Sequence, residues 1–231
     1  MAFTERTGGV SPAPFDSLNL GHRTGDRGER VNRNRELAVA ALGMPPFVVG
    51  EQVHGARIAR VGEGRAGAGF VRAAEAIPGT DALSVTRSRL PVAVLVADCV
   101  PVVLADPRHL VAVHAGWRGL AAGIVDRAVS LFDGASRIAA AVGPAIGPCH
   151  YEVGLQVAEA VAAGSPAGAS VERRKGRIFL DLPRTVEGIL RAAGIRSVDR
   201  ADACTACEEA RFFSHRRDGR TGRQAALAMR L

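Results

Sequence analysis

A carboxyl, a thiol and an imidazole interrupt the most apolar stretch of this chain. Residues 91–120 read PVAVLVADCVPVVLADPRHLVAVHAGWRGL, with Asp98-Cys99 and His114 set among aliphatics. Packing alone favours aliphatic side chains in such a run, so these polar groups ask for a chemical reason. Read as a hairpin, Val102 to Ala105 run extended, Asp106-Pro107-Arg108-His109 has type I turn chemistry, and Leu110 to His114 return. If Asp106 faces His109, then Pro101 faces His114, and Cys99 shares the face of Pro101. Cys99 and His114 are then diagonal neighbours with Cα atoms roughly 7–8 Å apart. Metal–ligand bonds of about 2.0–2.3 Å fit between two such side chains. The pair is equally compatible with a nucleophilic dyad, the imidazole taking the thiol proton. It is also compatible with a buried thiol beside a satisfied core histidine. Asp98 is the adjoining candidate for orienting a ligand or moving a proton.

Other elements must bring partners to this pair. A strand predicted over 47–53 leads to His54, and its alternation puts Gln52 and His54 on one face. His54 would complete a three-ligand zinc site, which spacing alone does not establish. Gly116-Trp117-Arg118-Gly119 reads as a strand-to-helix turn before a helix over 120–132. Its glycines permit close approach of backbone to ligand, and helix N-terminal amides with Arg118 could receive a phosphate. A helix over 29–42 carries Val31, Leu37, Ala38, Ala41 and Leu42 as its apolar stripe. Arg33 and Asn34 lie on it as solvated residues, a pocket-facing Arg33 being the sharper alternative.

Further strands are expected from Thr80 and over 138–142, 177–182 and 224–231, with helices over 153–163 and 184–193. Residues 62–79 read as a loop and 172–175 as a solvated charged turn. The segment from Arg211 to Gly219 sets a double aromatic beside a double arginine. It could clamp an anion, or be a strand end pinned by ion pairs. Alternating strands and helices give an α/β or α+β single domain. No GxGxxG or Walker pattern joins a strand to a helix.

Composition narrows the classes. With 231 residues and 47% apolar content, the chain supports a buried core and is not disordered. Met1 is followed by Ala-Phe-Thr-Glu-Arg, not by a secretory leader, and no apolar run approaches the roughly 20 residues of a membrane helix. A cytoplasmic protein without membrane partners is expected. The formal charge is +7, but Lys175 is the single lysine among thirty basic residues. Arginine set by genome composition needs no ligand, and one Trp and one Tyr give little to stack on bases. Nucleic acid is therefore not expected as a partner. Four cysteines in a chain of this length do not read as a disulfide framework. Cys204-Thr-Ala-Cys207 is a lone CxxC that could be a redox pair or half a zinc site. With no second CxxC, it reads as two unlinked thiols in a loop.

A broader pattern is also present. Gln52-Val53-His54-Gly55, Thr80-Asp81-Ala82-Leu83, Ala97-Asp98-Cys99-Val100-Pro101, His114-Ala115-Gly116-Trp117-Arg118-Gly119, Gly143-Pro144-Ala145-Ile146-Gly147, Tyr151-Glu152-Val153-Gly154 and Phe212-Phe213-Ser214-His215-Arg216-Arg217 occur in this order. Together they resemble the YfiH family, also called the laccase-domain, polyphenol oxidase or peptidoglycan-editing-factor family. The likeness runs from Ser17 to Gln224, and His215 departs from it where members often carry Tyr. It implies an α+β fold, a single-domain layered α/β/β/α sandwich with mixed sheets, similar in plan to a toxin deamidase. It implies zinc held by His54, Cys99 and His114. On that site the residue chemistry makes Cys99 and Asp98 the candidate catalytic residues, and Gln52 with Arg33 or Arg118, either of which could hold phosphate by bidentate bonds, the candidate substrate contacts. The activity implied is phosphorolysis of purine nucleosides (adenosine, inosine, methylthioadenosine) with adenosine deamination. Copper oxidation and peptidoglycan-precursor editing are the family's other descriptions.

The residue inventory weighs these. A trinuclear copper cluster needs many imidazoles, and the chain has six His in all. Two His and one Cys make a three-ligand zinc site with one position open. Such an ion polarises a substrate or lowers the pKa of bound water to about 7, as zinc deaminases use it. The competing readings are a metal-free Cys99–His114 hydrolase or deamidase, a copper oxidase when copper is in excess, and a non-catalytic binding module.

Overall fold

The apolar runs of residues 92–96, 100–105 and 110–115 do not alternate with polar residues, because nearly every position on both faces is buried. The computed structural model, which describes residues 1–165 and 167–231, places these runs at the centre of two stacked sheets. In chain order the elements are β1 (Ala2–Phe3), α1 (Gly28–Leu42), β2 (Val48–Val49), β3 (Ile58–Arg60), β4 (Ala82–Val85), β5 (Val92–Val96), β6 (Val100–Ala105), β7 (Leu110–Ala115), α2 (Trp117–Ala121), α3 (Ile124–Val129), β8 (Ala139–Val142), β9 (Glu152–Val153), α4 (Leu155–Ala163), β10 (Val171–Arg174), β11 (Arg177–Leu180), α5 (Leu182–Ala192), β12 (Ser197–Arg200), α6 (His215–Asp218) and β13 (Gln224–Ala228).

A six-stranded sheet has the order β12-β8-β6-β7-β4-β3, and a four-stranded sheet the order β1-β13-β5-β2. Both are mixed: β12–β8, β3–β4 and β2–β5 are parallel, the remaining pairs antiparallel. A small antiparallel sheet, β10-β11-β9, flanks them. Strand alternation assigns each side chain to a layer. Val92, Val94, Ala226 and Ala228 of the four-stranded sheet meet Leu83, Val85, Val103 and Ala112 of the six-stranded one. Val102, Leu104, Val111 and Val113 face the other way, onto Leu120, Ile124, Val186 and Ile189 of the helices. Ala93, Ala225 and Leu227 cover the outer face of the smaller sheet beneath Ala38 and Val39 of α1. The result is the expected α/β/β/α sandwich, a single-domain α+β fold.

Several local expectations are corrected. The helix expected over 120–132 begins at Trp117 and breaks at Gly123, whose φ of 72° leaves the right-handed helical region. The charged run 172–175 contributes most of a strand, β10, turned onto β11 through Lys175 (φ 48°) and Gly176 (φ 76°). Around Phe212 there is no strand: both phenylalanines are buried and α6 follows. In α1 the buried positions are Val31, Asn34, Arg35, Ala38 and Val39, so Ala41 and Leu42 lie outside the stripe and Asn34 inside it. Asn34 is held there by Ser11, by the carbonyls of Ser17 and Asn19, and by the Val10 amide.

β5 belongs to one sheet and β6 to the other. The chain crosses between them at Ala97-Asp98-Cys99, and this crossing positions the site.

Candidate functional site

β6 and β7 pair with Pro101 opposite His114, and Cys99 immediately precedes β6. Antiparallel register thus brings the thiol to the imidazole. His54 arrives on the loop after β2, with a left-handed backbone (φ 62°). One ligand atom from each of His54, Cys99 and His114 lies within 4.8 Å of the others, about the span of two metal–ligand bonds of roughly 2.0–2.3 Å. The two imidazoles meet edge to face, with centroids 4.8 Å apart. Gly116 leaves room here: a Cβ would stand 3.0 Å from Cys99 Sγ and 3.1 Å from His54 Cδ2, close enough to push both side chains by a few tenths of an ångström.

Asp81, only 1% exposed, organises the cluster. Its Oδ1 accepts from the His54 amide (2.9 Å) and pairs with His114 Nδ1 (2.8 Å), and its Oδ2 accepts from the amides of Val53 (3.2 Å) and Gly55 (2.8 Å). Burial pushes this carboxyl up, but the bonds from His114 and these amides outweigh it and hold it below the usual range. With His114 Nδ1 occupied, Nε2 is the nitrogen left to bind an ion, the arrangement of a carboxylate–histidine–metal relay. Burial also opposes charge on Cys99 and His114. Their mutual attraction wins, drawing the thiol down to about 6 and, with help from Asp81, the imidazole up to about 9. Without metal the pair is a thiolate beside an imidazolium. The donor set, two imidazoles and a thiolate with a fourth position open, suits zinc.

The remaining candidates fall differently. Asp98 (φ 100°) has both oxygens engaged, Oδ1 by Thr205 Oγ1 (2.7 Å) and Oδ2 by the Arg216 amide (2.6 Å). Its carbonyl accepts from the Ile146 amide (2.9 Å). Gln52 lines the cavity but commits its amide to the backbone of Leu95, accepting at 2.8 Å and donating at 2.7 Å. Arg118 lines the same cavity, its guanidinium stacked on Trp117. Arg33, expected as a substrate contact, is exposed, pairs with Glu36 and lies outside the cavity. The helical period places Arg35 inward instead. Its Nε donates to the carbonyl of Leu20 (2.8 Å), and Nη1 to those of Gly69 (2.5 Å) and Phe70 (2.8 Å). Burial lowers its pKa to about 9. Among the described residues no carboxylate pairs with it.

The three-residue cluster and Arg35 share one cavity of about 480 Å³, lined by His54, Cys99, His114, Arg35, Tyr151 and Arg223 among others. That volume lies in the range of small-molecule sites, about 300–1,000 Å³. Tyr151 carries the chain's single phenol, pushed up to about 12 by burial and then by the Cys99 charge, so it remains a neutral donor. Asp81, Arg35 and Tyr151 were not assigned roles from sequence. The signal for Arg35 was its place at i+4 from Val31, and for Asp81 an acid opening a buried strand.

The family model described as multi-copper polyphenol oxidoreductase laccase matches residues 1–231. The chain belongs to this family. Curated relatives of the laccase-domain chain carry another description. It is 41% identical over 239 residues to "Purine nucleoside phosphorylase YlmD" of Geobacillus stearothermophilus, covering 97% of this chain and 87% of that one. It is 38% identical over 228 residues to "Purine nucleoside phosphorylase YfiH" of Escherichia coli, covering 96% and 90%. The crystal structure of YlmD from G. stearothermophilus superposes with a TM-score of 0.93 at 38% identity, covering 99% of this chain and 91% of that one. That of Bacillus licheniformis hypothetical protein YfiH gives 0.92 at 34% identity, with the same coverage.

Proposed function

We propose that this protein is a zinc-dependent purine nucleoside phosphorylase acting on adenosine, inosine and methylthioadenosine, with adenosine deaminase activity. One observation carries the reading. The cavity that holds His54, Cys99 and His114 also contains a buried arginine without a carboxylate partner, Arg35. A metal triad alone would serve hydrolysis, which needs only water. An unneutralised cation in the same pocket favours an anionic co-substrate such as phosphate.

His54, Cys99 and His114 would hold zinc, which when bound supplies Lewis-acid polarisation at its open position. Asp81 keeps His114 in the ligating tautomer and ties down the His54 loop. Arg35 offers its Nη2, which makes no hydrogen bond among the described residues, to phosphate. Arg223, lining the same cavity, and Arg118 add positive charge. In phosphorolysis a phosphate oxygen forms a bond to C1′ of the ribose. The C1′–N9 bond breaks, its electron pair goes to the purine, and Tyr151 stands as the neutral donor toward the bound nucleoside. Asp98 acts by positioning, anchoring Thr205 and Arg216 at the wall. The four free cysteines accord with a cytoplasmic setting, and no helix among the described residues is long and apolar enough to cross a membrane.

Copper oxidation is less well supported. Among the described residues no third imidazole joins the cluster: His22 and His215 line the cavity but face the carbonyls of Phe70 (3.3 Å) and Gly219 (2.6 Å), His109 contacts Ser84, and His150 sits among cysteines. The metal-free alternative has its own observation, the placement of Cys99 and His114 side by side, where their attraction draws the thiol down and the imidazole up.

The test is incubation of metal-replete protein with adenosine or inosine, with and without phosphate, followed by product identification. Ribose 1-phosphate and free base, formed only with phosphate, support phosphorolysis. Inosine from adenosine without phosphate supports deamination. Cys99→Ala is expected to lose the zinc held with His54 and His114, and both activities; turnover by chelator-treated protein at the untreated rate would sink the zinc reading in favour of the dyad.

A further inference from the structure

The CxxC does not stand alone in space. Cys204 and Cys207 lie on the loop after β12, and Cys149-His150 on the loop after β8. A parallel bridge between Ala145 and Cys204, with the Thr205 amide donating to the Ala145 carbonyl (3.0 Å), brings the loops together. Cys149 Sγ is then 3.4 Å from Cys204 Sγ and 3.3 Å from Cys207 Sγ. His150 Nδ1 is 3.4 Å from the sulfurs of both Cys149 and Cys207. All four ligand atoms lie within 4.8 Å of one another.

These separations can be compared with a tetrahedral ion. Zn–S bonds near 2.3 Å and Zn–N bonds near 2.0–2.1 Å set S–S edges at about 3.75 Å and S–N edges at about 3.5 Å. The observed contacts fall within a few tenths of an ångström of those edges. All four cysteines are free, so no disulfide occupies the cluster. The Gly147 amide donates to Cys204 Sγ (3.2 Å), the kind of donor that stabilises a thiolate ligand. Cys207 closes a tight turn through its amide to the Cys204 carbonyl (3.1 Å), which aims both sulfurs of the CxxC to one side.

We propose that Cys149, His150, Cys204 and Cys207 form a second, structural zinc site that clamps the loop after β8 to the loop after β12. Three thiolates and one imidazole fill a tetrahedral shell and leave no open position, unlike the cluster at His54. The clamp braces the cavity from behind. Tyr151, which lines the cavity, follows His150 directly. Thr205, between the two cysteines, donates to Asp98, and its carbonyl accepts from Arg217 Nη1 (2.8 Å). Zinc therefore orders residues 145–151 and 203–208 without touching substrate.

Metal analysis of protein purified without added metal tests this, with the two clusters varied separately. The double variant Cys149→Ser/Cys207→Ser is expected to carry one zinc per chain fewer than the parent. Variants of His54 or His114 should leave that equivalent in place, so failure of the catalytic-site reading does not affect the outcome. In Cys99→Ala, thiolates remain only at the proposed clamp, so cobalt loading should give a thiolate-to-metal charge-transfer band. Adding Cys149→Ser/Cys207→Ser should abolish it. Hydrogen exchange over 145–151 and 203–208 should slow when zinc is added to stripped Cys99→Ala protein. Equal zinc in parent and double variant would overturn the proposal. So would cobalt uptake without the thiolate band, or an intact mass showing a Cys149, Cys204 or Cys207 disulfide in freshly purified protein.

Discussion

Asp81→Asn changes one atom type and almost no volume, yet four donors converge on the side chain it alters. In the parent, Oδ1 serves the His54 amide and His114, and Oδ2 serves the amides of Val53 and Gly55. An asparagine amide has one oxygen and one NH₂, so one of these two donor pairs must face another donor. If NH₂ replaces Oδ2, the Val53 and Gly55 amides lose their acceptor. Each unsatisfied donor costs about 1–3 kcal/mol. The loop bearing them reaches solvent, so the lower end applies, giving about 2 kcal/mol in total. If NH₂ replaces Oδ1, the His54 amide is orphaned and His114 must accept at Nδ1, which moves its proton to Nε2 and removes it as a ligand. Either orientation also removes the charge that favours the ligating form of His114. Loss of such an outer partner typically lowers metal affinity by about 10–100-fold. Urea unfolding of metal-free protein measures the first quantity, and competition with a chromophoric chelator the second. An Asp81→Asn protein with parental zinc affinity and parental unfolding midpoint would refute the argument.

Gly116→Ala should keep the fold, since φ at 116 is −84° and any residue tolerates it, but should lower zinc affinity at least about tenfold by crowding Cys99 and His54; circular dichroism and metal titration separate the two effects. Arg35→Met should cost about 3 kcal/mol, because three carbonyls lose their donor, and should raise the KM for phosphate more than that for nucleoside in steady-state kinetics. Zinc uptake should release the His114 proton. Cys99 is already a thiolate above about 6 and His114 is protonated up to about 9, so affinity should rise about tenfold per pH unit across that window; a flat profile would contradict the pairing. In metal-free protein the depressed Cys99 pKa stabilises the fold at higher pH, a contribution lost as pH falls through about 6. The raised His114 pKa stabilises it at lower pH, a contribution lost as pH rises through about 9. The two contributions offset between about 6.5 and 9, where the native pair and the unfolded side chains hold the same number of protons, so thermal melts of stripped protein should change little across this interval.

What local pattern determined about this chain is its central hairpin. The turn chemistry at Asp106–His109 and the two apolar runs set the register that puts Pro101 opposite His114, and this follows from a period of two along strands. The same reasoning placed α1 but chose the wrong stripe: taking positions 31, 34, 35, 38 and 39 as the inward face accounts for a buried Asn34 and Arg35, at the cost of admitting polar groups to a core. Arg33 reads from the sequence as solvated, with a pocket contact as the sharper alternative, whereas burial of Arg35 depends on three carbonyls from residues 20, 69 and 70, which no local window contains. The CxxC read as isolated for a similar cause. Its partners, Cys149 and His150, are more than fifty residues away in sequence and meet it only because β12 lies parallel beside β8, which brings the two following loops to one end of the sheet. Residue types fix which chemistry a side chain can do. Which side chains share a site is decided by sheet order, because strand pairing joins segments whose separation along the chain carries no local signal.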